Sequence, residues 1–210
     1  MVEVISGGFY SSIQDLGRFG FRRYGIPLSG AMDRYSAGLA NRLVGNAIQN
    51  AIMEVTTIGP VLRFTSNTVI AITGAGFKPS LNGVEIVRNS RIYVEKDAVL
   101  KFGRATYGLW GYLSVLGGFD SENKLGSRSQ YFGITEKEKI EKGAIIATHP
   151  YKGKTYKATS SIKEPQDFFS SNSIDVFKGP DFNLLPASLQ NKLLETELTV
   201  SSQSNRMAYG

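Results

Sequence analysis

The sequence contains no cysteine, so disulfide frameworks, thiolate metal sites and a cysteine nucleophile are all excluded. It has one histidine, His149, followed at once by Pro150. With a single imidazole and no thiol, a soft-metal centre lacks ligands, and no metal site is expected. A Ser-His-Asp triad would have to recruit His149, which reads instead as a solvated loop residue. No apolar run approaches the ~20 residues of a membrane span. The opening Met-Val-Glu-Val-Ile-Ser carries an acidic residue and no long apolar core. Neither a signal peptide nor membrane contact is expected, and the chain reads as cytoplasmic. Lysine is missing before Lys78, where Arg18, Arg22, Arg23, Arg34, Arg42 and Arg63 carry all the positive side-chain charge. The planar guanidinium holds carboxylates, phosphates and polarised carbonyls bidentately, as lysine cannot. Arginine stems packed on aromatics would give the same pattern.

What is present is ordinary for a globular chain. The 210 residues are 41% apolar and 20% charged, enough for one large domain or one domain and part of another. The formal charge of +6 is spread over lysines interleaved with Asp and Glu. No basic run with aromatics and no nucleic-acid motif occurs, so nucleic acid is not an expected partner. The 23 glycines, 12 Phe and 10 Tyr imply short strands joined by tight turns.

The pattern along the chain is mainly β with a few short helices. Val2, Val4 and Phe9 open a first strand that Gly7-Gly8 breaks. Gly17, Gly20, Gly25 and Gly30 mark loop-rich backbone. Residues 33–45 form the clearest helix: Asp33 is the N-cap, Tyr35, Leu39 and Leu43 make an apolar stripe, and Gly45-Asn46 ends it. Strands follow at 61–66, 69–73, 91–94, 98–102 and 111–116, and Asn82-Gly83 signals a hairpin between 80–81 and 84–87. Their spacing implies a closed or sandwiched antiparallel sheet. Residues 151–172 read as a polar linker or surface excursion. Beyond it, 174–177 reads as a strand, 186–194 as a helix and 199–201 as the start of a further strand.

Two segments could carry chemistry. Thr73-Gly74-Ala75-Gly76-Phe77-Lys78 lacks the full glycine pattern of a dinucleotide loop and the Gly-Lys-Ser/Thr of a P-loop, and reads as a turn after a buried strand. Gln14-Asp15-Leu16-Gly17-Arg18 packs an amide, a carboxylate and a guanidinium into a glycine-flanked loop. Ile26 to Asp33 then brings Ser29 and Asp33 to a helix N-terminus, where free N–H groups suit an oxyanion or phosphate. The alternative is structural: Ser29 and Asp33 cap the helix, while Gln14, Asp15 and Arg18 pair with one another and fix the loop.

The runs Gln14–Arg18, Pro27–Asp33 and Leu39–Asn46 resemble the signature of one family. It is known as allophanate hydrolase subunit 2, as the C subunit of 5-oxoprolinase, or as the biotin-dependent carboxyltransferase domain. Glu54, Gly59-Pro60, Thr73–Ala75, Tyr112–Gly118, Leu125–Ser129, Gly179-Pro180 and Ser204–Tyr209 continue the resemblance in order. The family has Asp-Arg-Met-Gly where this chain has Asn205-Arg206-Met207-Ala208, which takes a carboxylate away from position 205. Family members also run about a hundred residues further, so the chain reads as a fragment, a truncated gene product or one piece of a split protein.

The resemblance implies a cyclophilin-like antiparallel β-barrel subdomain over 1–150, then the linker, then over 173–210 the beginning of a second, similar subdomain. It implies one member of a multisubunit complex. Its partners would be a kinase-inhibitor-like B subunit and a larger A subunit, and together they would hydrolyse 5-oxo-L-proline to glutamate with ATP. The alternatives are biotin-dependent carboxyl transfer to a urea-like acceptor, or a non-catalytic regulator of the kinase-inhibitor-like partner. Both chemistries polarise an amide or ureido carbonyl, and each preorganised donor contributes ~3–4 kcal/mol. The residues assigned to catalysis on that chemistry are Gln14, Asp15, Arg18, Ser29, Asp33 and Asn41. Arg18 would grip a substrate carboxylate, phosphate or carbonyl, while Gln14 and Asp15 position substrate or water. Ser29 and the helix start at Asp33 would form an anion site lined by Asn41. Glu54, Arg128, Ser204, Arg206 and Tyr209, all within matching motifs, are the substrate-binding candidates.

Overall fold

The computed structural model describes residues 1–149, 160–163, 169 and 171–207. The chain divides into two compact units, Met1–Pro165 and Gln166–Gly210.

The first unit is built from β1 (Val2–Ser6), β2 (Tyr10–Gln14), α1 (Arg34–Val44), β3 (Ile52–Thr56), β4 (Val61–Phe64), β5 (Thr68–Gly74), β6 (Ser80–Leu81), β7 (Val84–Glu85), β8 (Ile92–Val94), β9 (Val99–Lys101), β10 (Trp110–Val115), β11 (Phe119–Asp120) and β12 (Ile145–Thr148). All ladders are antiparallel. They form a seven-stranded sheet in the order β11-β12-β1-β4-β9-β6-β7 and a five-stranded sheet in the order β2-β3-β10-β5-β8.

The two-residue period of a strand explains how the layers stack. In the five-stranded sheet, Met53, Val55, Ile70, Ile72, Leu113 and Val115 enter one core cluster with Val2, Val4, Leu62, Phe64 and Leu100 of the other sheet. The intervening residues point the opposite way. Ile52 and Tyr112 meet Ala37 and Ala40 of α1, and Val69 and Ala71 meet Leu43 and Val44. Covered on both faces, β5 is buried throughout and reads as a continuous apolar run.

Helix α1 has the expected ends. The Asp33 carboxylate accepts from Ser36 N at 3.0 Å, and Gly45 closes the helix at φ 88° with its N–H on Arg42 O. Its buried face differs from the expected stripe. Of that stripe Leu43 is buried and Leu39 packs beside it, but Tyr35 is 60% exposed, and Ser36, Ala37, Ala40, Asn41 and Val44 are buried as well. Small residues let the helix approach the sheet, and polar partners bind it there: Thr73 Oγ1 donates to Ser36 O at 2.7 Å.

In the second unit, α2 (Ala187–Glu195) follows a 3₁₀ turn at Phe182–Leu184. The strands expected at 174–177 and 199–201 are not formed, and no described residue of this unit lies in a strand. Ile174, Val176, Phe177 and Val200 are exposed; a strand needs a paired neighbour, and these segments have none among the described residues. Most of the expected linker at 151–172 lies outside the described residues. No described helix is long and apolar enough to cross a membrane.

Candidate functional site

Two glycines let the loop after β2 cross the loop before α1. Gly17 sits at φ 95° and Gly30 at φ 92°. A Cβ on Gly17 would lie 2.6 Å from Leu28 O, and one on Gly30 2.9 Å from Leu16 C. The crossing is held by Arg18 N donating to Leu28 O at 2.8 Å and Ala31 N to Asp15 O at 3.0 Å.

A third segment locks onto this crossing. Lys124 and Ser127 close a tight turn by exchanging backbone hydrogen bonds, with Leu125 at φ 54° and Gly126 at φ 77°. The Asp15 carboxylate receives the residues after it. Oδ1 accepts from Ser127 Oγ at 2.7 Å and Ser129 Oγ at 2.6 Å, and Oδ2 from Arg128 N at 2.7 Å. Oδ1 also accepts from Gly17 N at 2.7 Å. Arg18, 1% exposed, donates from Nε to Lys124 O at 3.4 Å and from Nη2 to Ser129 O. Burial lowers its pKa, countered by the charges of Asp15 and Glu122. Gln14 Nε2 donates to Ser12 Oγ at 2.9 Å and Gln130 O at 3.1 Å, and Ser29 Oγ to Gln14 Oε1 at 3.3 Å. The side chains of Gln14, Asp15 and Arg18 therefore bind residues 124–130 rather than one another.

Asn41 and Glu54, each 1% exposed, anchor α1 at different points. Asn41 Nδ2 donates to Asn50 O at 2.9 Å, and its Oδ1 accepts from Ser114 Oγ at 2.6 Å and Asn46 Nδ2 at 3.3 Å. Glu54 Oε2 accepts from Met32 N and from Tyr112 OH, both at 2.8 Å. Tyr112 OH in turn accepts from Asp33 N at 2.7 Å. Burial pushes the Tyr112 phenol above its ordinary range, and the Glu54 carboxylate pushes it further. Asp33, Met32 and Ser36 thus direct their N–H groups into the protein. Protein acceptors take these three N–H groups around the helix start, where Ser29 and Asp33 are expected to form an anion site.

Where this scaffold meets solvent it forms a concavity of about 410 Å³ lined by Asp15, Asn50, Asn123, Arg128 and His149 among others. Arg128 Nη1 is 2.8 Å from Asp120 Oδ1, with 29% of its side chain exposed. Asn50 Nδ2 donates to Gly117 O at 3.1 Å. Of the residues selected from sequence, Asp15 and Arg128 line this concavity; Gln14, Arg18, Ser29, Asn41 and Glu54 lie buried in the same unit. Ser204 and Arg206 belong to the second unit, where Ser204 is exposed and Asn205 Oδ1 accepts from Met207 N at 2.8 Å. Tyr209 lies outside the described residues. Sequence reading did not single out Ser12, Asn50, Tyr112, Ser114, Asn123, Ser127, Ser129 or Gln130 as site groups. Ser127 and Ser129 alternate within Leu125–Ser129, a spacing that sets both hydroxyls on one side of extended chain. Among the described residues no group of three potential metal ligands converges.

Residues 24–210 match the family described as "Carboxyltransferase domain, subdomain A and B". The whole chain aligns with the C subunit of 5-oxoprolinase from Haemophilus influenzae at 31% identity and with that from Escherichia coli at 29%, spanning 67% of each. Over 131 residues, 62% of the chain, it is 43% identical to urea amidolyase of Saccharomyces cerevisiae, of which it spans 7%. The crystal structure of Kluyveromyces lactis urea amidolyase superposes with a TM-score of 0.76 at 31% identity, over 97% of this chain and 13% of that one.

Proposed function

The chain belongs to the carboxyltransferase domain family, subdomain A and B, and on that premise we propose that it is one subunit of a cytoplasmic, ATP-dependent 5-oxoprolinase-type complex. Its relatives are themselves components of enzymes. The observation that supports this reading is the extent of the sequence match, with the structural likeness to urea amidolyase also extending over 97% of the chain. The alignment with the 5-oxoprolinase subunits runs through the entire chain, both units included. In this reading two partners complete the complex, one resembling the kinase-inhibitor-like B subunit and one the larger A subunit. ATP is used at the level of the complex.

The geometry supports a small acidic amide as substrate. A concavity of about 410 Å³ suits a compact ligand. Arg128, whose Nη1 is held by Asp120 and Ser121 O, would take the carboxylate of 5-oxoproline with the rest of its guanidinium. The Asn50 and Asn123 amides at the same wall would donate to the ring carbonyl, whose oxygen gains charge as the amide is attacked. Asp15 and Arg18 act behind this wall by fixing the backbone of residues 124–130, on which Arg128 is carried.

The higher identity to urea amidolyase favours a second reading, carboxyl transfer to a urea-like acceptor from a biotin-bearing partner. Reconstitution of the chain with both partner types separates the two. The first reading expects 5-oxoproline-dependent release of ADP and glutamate, reduced at least ~10-fold by Arg128→Ala. Carboxylation of urea with no 5-oxoproline turnover would replace it with the second.

A further inference from the structure

The loop that crosses below the candidate site also lines a second cavity. Arg18, Phe19, Gly20, Arg22, Arg23 and Leu28 surround a volume of about 430 Å³. Phe19 belongs to the walls of both cavities. Three of these six residues carry guanidinium groups and none a carboxylate. A 3₁₀ turn at Arg22–Tyr24, closed by Gly25 in the left-handed region at φ 72°, presents Arg22 and Arg23 side by side in solvent. Among the described residues neither finds a side-chain hydrogen bond or an ion pair. Arg23 is steadied by the Tyr24 ring, whose centroid lies 4.8 Å from its guanidinium carbon. Arg18 closes the cavity from within: it is 1% exposed, and its Nη1 has no hydrogen-bond partner. Two carboxylates act on its charge, Asp15 and Glu122, the second also 3.6 Å from Lys124; neither lines the cavity.

We propose that this cavity is a binding site for a polyphosphate group. One arginine suffices for a monocarboxylate, which it grips with two parallel hydrogen bonds. Three guanidiniums with no acidic wall call for a ligand of several negative charges. Phe19 and Leu28 supply apolar surface beside the three guanidiniums. Inorganic polyphosphate and the triphosphate of a nucleotide share this chemistry. An aromatic wall at Phe19 gives a nucleoside a surface to stack on. Assigning the group to a nucleotide rests on the proposed function; the site itself is read from the cavity.

The test is equilibrium binding to the intact chain at ~150 mM salt, where diffuse surface attraction is screened. The probes are tripolyphosphate, ATP, AMP and 5-oxoproline. Tripolyphosphate and ATP are expected to compete for one saturable site, with AMP at least ~10-fold weaker. Arg22→Ala and Arg23→Ala, both at exposed positions, should each weaken binding roughly tenfold while leaving the melting temperature unchanged. ATP tighter than tripolyphosphate identifies a nucleotide site; equal affinity identifies one that reads phosphate alone. Absence of saturable binding overturns the inference. So does binding indifferent to both substitutions, or displacement of tripolyphosphate by 5-oxoproline. The two proposals fail separately. A complex that turns over 5-oxoproline with an unchanged KM for ATP in Arg22→Ala/Arg23→Ala removes this site and leaves the function standing. Tripolyphosphate binding by a chain whose complex is inert to 5-oxoproline does the reverse.

Discussion

Replacing Asp15 by alanine separates a residue that acts on substrate from one that holds the wall of the site. Its carboxylate accepts four hydrogen bonds of 2.6–2.7 Å, from Gly17 N, Arg128 N, Ser127 Oγ and Ser129 Oγ. A hydrogen bond to a charged group contributes about 1.5–3 kcal/mol, so a naive sum reaches ~6–12 kcal/mol. The net loss is smaller. Asp15 lines a concavity open to solvent, so water can reach part of the vacated space. The two serines, both 0% exposed, keep the penalty of stranded donors. The expected cost is about 3 kcal/mol, near the upper end for single substitutions. For a chain of this size that corresponds to a fall in melting temperature of ~6–12 °C, read by thermal unfolding followed by circular dichroism. Asp15→Asn, which turns one acceptor into a donor facing other donors, should lie close to the alanine variant. A fall of less than ~3 °C with activity abolished would refute the structural role and return Asp15 to the chemistry.

Three further outcomes follow from the same geometry. Asn41→Ala should cost about 3 kcal/mol in urea unfolding because it leaves the Ser114 hydroxyl proton without its acceptor and Asn50 O without its donor, between α1 and the sheet; a loss under ~1 kcal/mol would show that water replaces the amide. Gly17→Ala combines φ 95° with a Cβ 2.6 Å from Leu28 O, whereas Gly20, at φ 88°, has nothing within 4 Å. The first should therefore lower stability by at least ~2 kcal/mol and the second by about 1 kcal/mol, compared by thermal melts; equal effects would refute the close crossing. The folded pKa of Tyr112 is raised above its ordinary value of 10.0, so above that pH the unfolded chain loses a proton the folded chain keeps. Its contribution is complete below pH 10 and declines by about 1.4 kcal/mol per pH unit above it. Tyr112→Phe removes this slope, and the stability gap between the two proteins in urea should narrow from pH 10 to 11; a constant gap would refute the shift.

Local signals were legible wherever local chemistry decides the backbone. Asp33 and Gly45 bound α1 as an N-cap and a left-handed stop, and Asn82 and Gly83, at φ 51° and 82°, turn the hairpin between β6 and β7. The run at 69–73 lies within β5. Strand β2 was not legible, because Tyr-Ser-Ser-Ile-Gln has no apolar alternation. It is buried because residues 130–140 cover its outer edge: Gln130 N donates to Ile13 O at 2.9 Å and Ile140 N to Ser11 O at 2.7 Å. Those contacts lie more than a hundred positions away in the chain, where no window of periodicity reaches. The same limit explains α1's rotated face. A stripe of Tyr35, Leu39 and Leu43 is what an isolated helix would bury; Leu39 and Leu43 do pack, but the sheet also offers Ser114 and Thr73, which select Asn41 and the backbone at Ser36 and leave Tyr35 outside.

The packing of the candidate site was not legible, for a related reason. Seen alone, Gln14–Arg18 is a carboxylate, an amide and a guanidinium in a glycine loop, a composition that suits chemistry. Leu125–Ser129, seen alone, is an ordinary turn. Neither segment reveals that its polar groups are complementary to the other's: the carboxylate of one meets the hydroxyls and N–H groups of the other, and the guanidinium of the first meets the carbonyls of the second. These mutual contacts hold the two segments together and leave at the surface the residue between the two serines. Arg128 sits between Ser127 and Ser129 on a backbone pinned from below by Asp15 and Arg18, with its side chain in the wall of the concavity. In the function proposed above, a guanidinium carried on this backbone and held by Asp120 and Ser121 O would give up little further freedom on engaging an anion. The buried polar lattice would then bear on function through the position it gives Arg128.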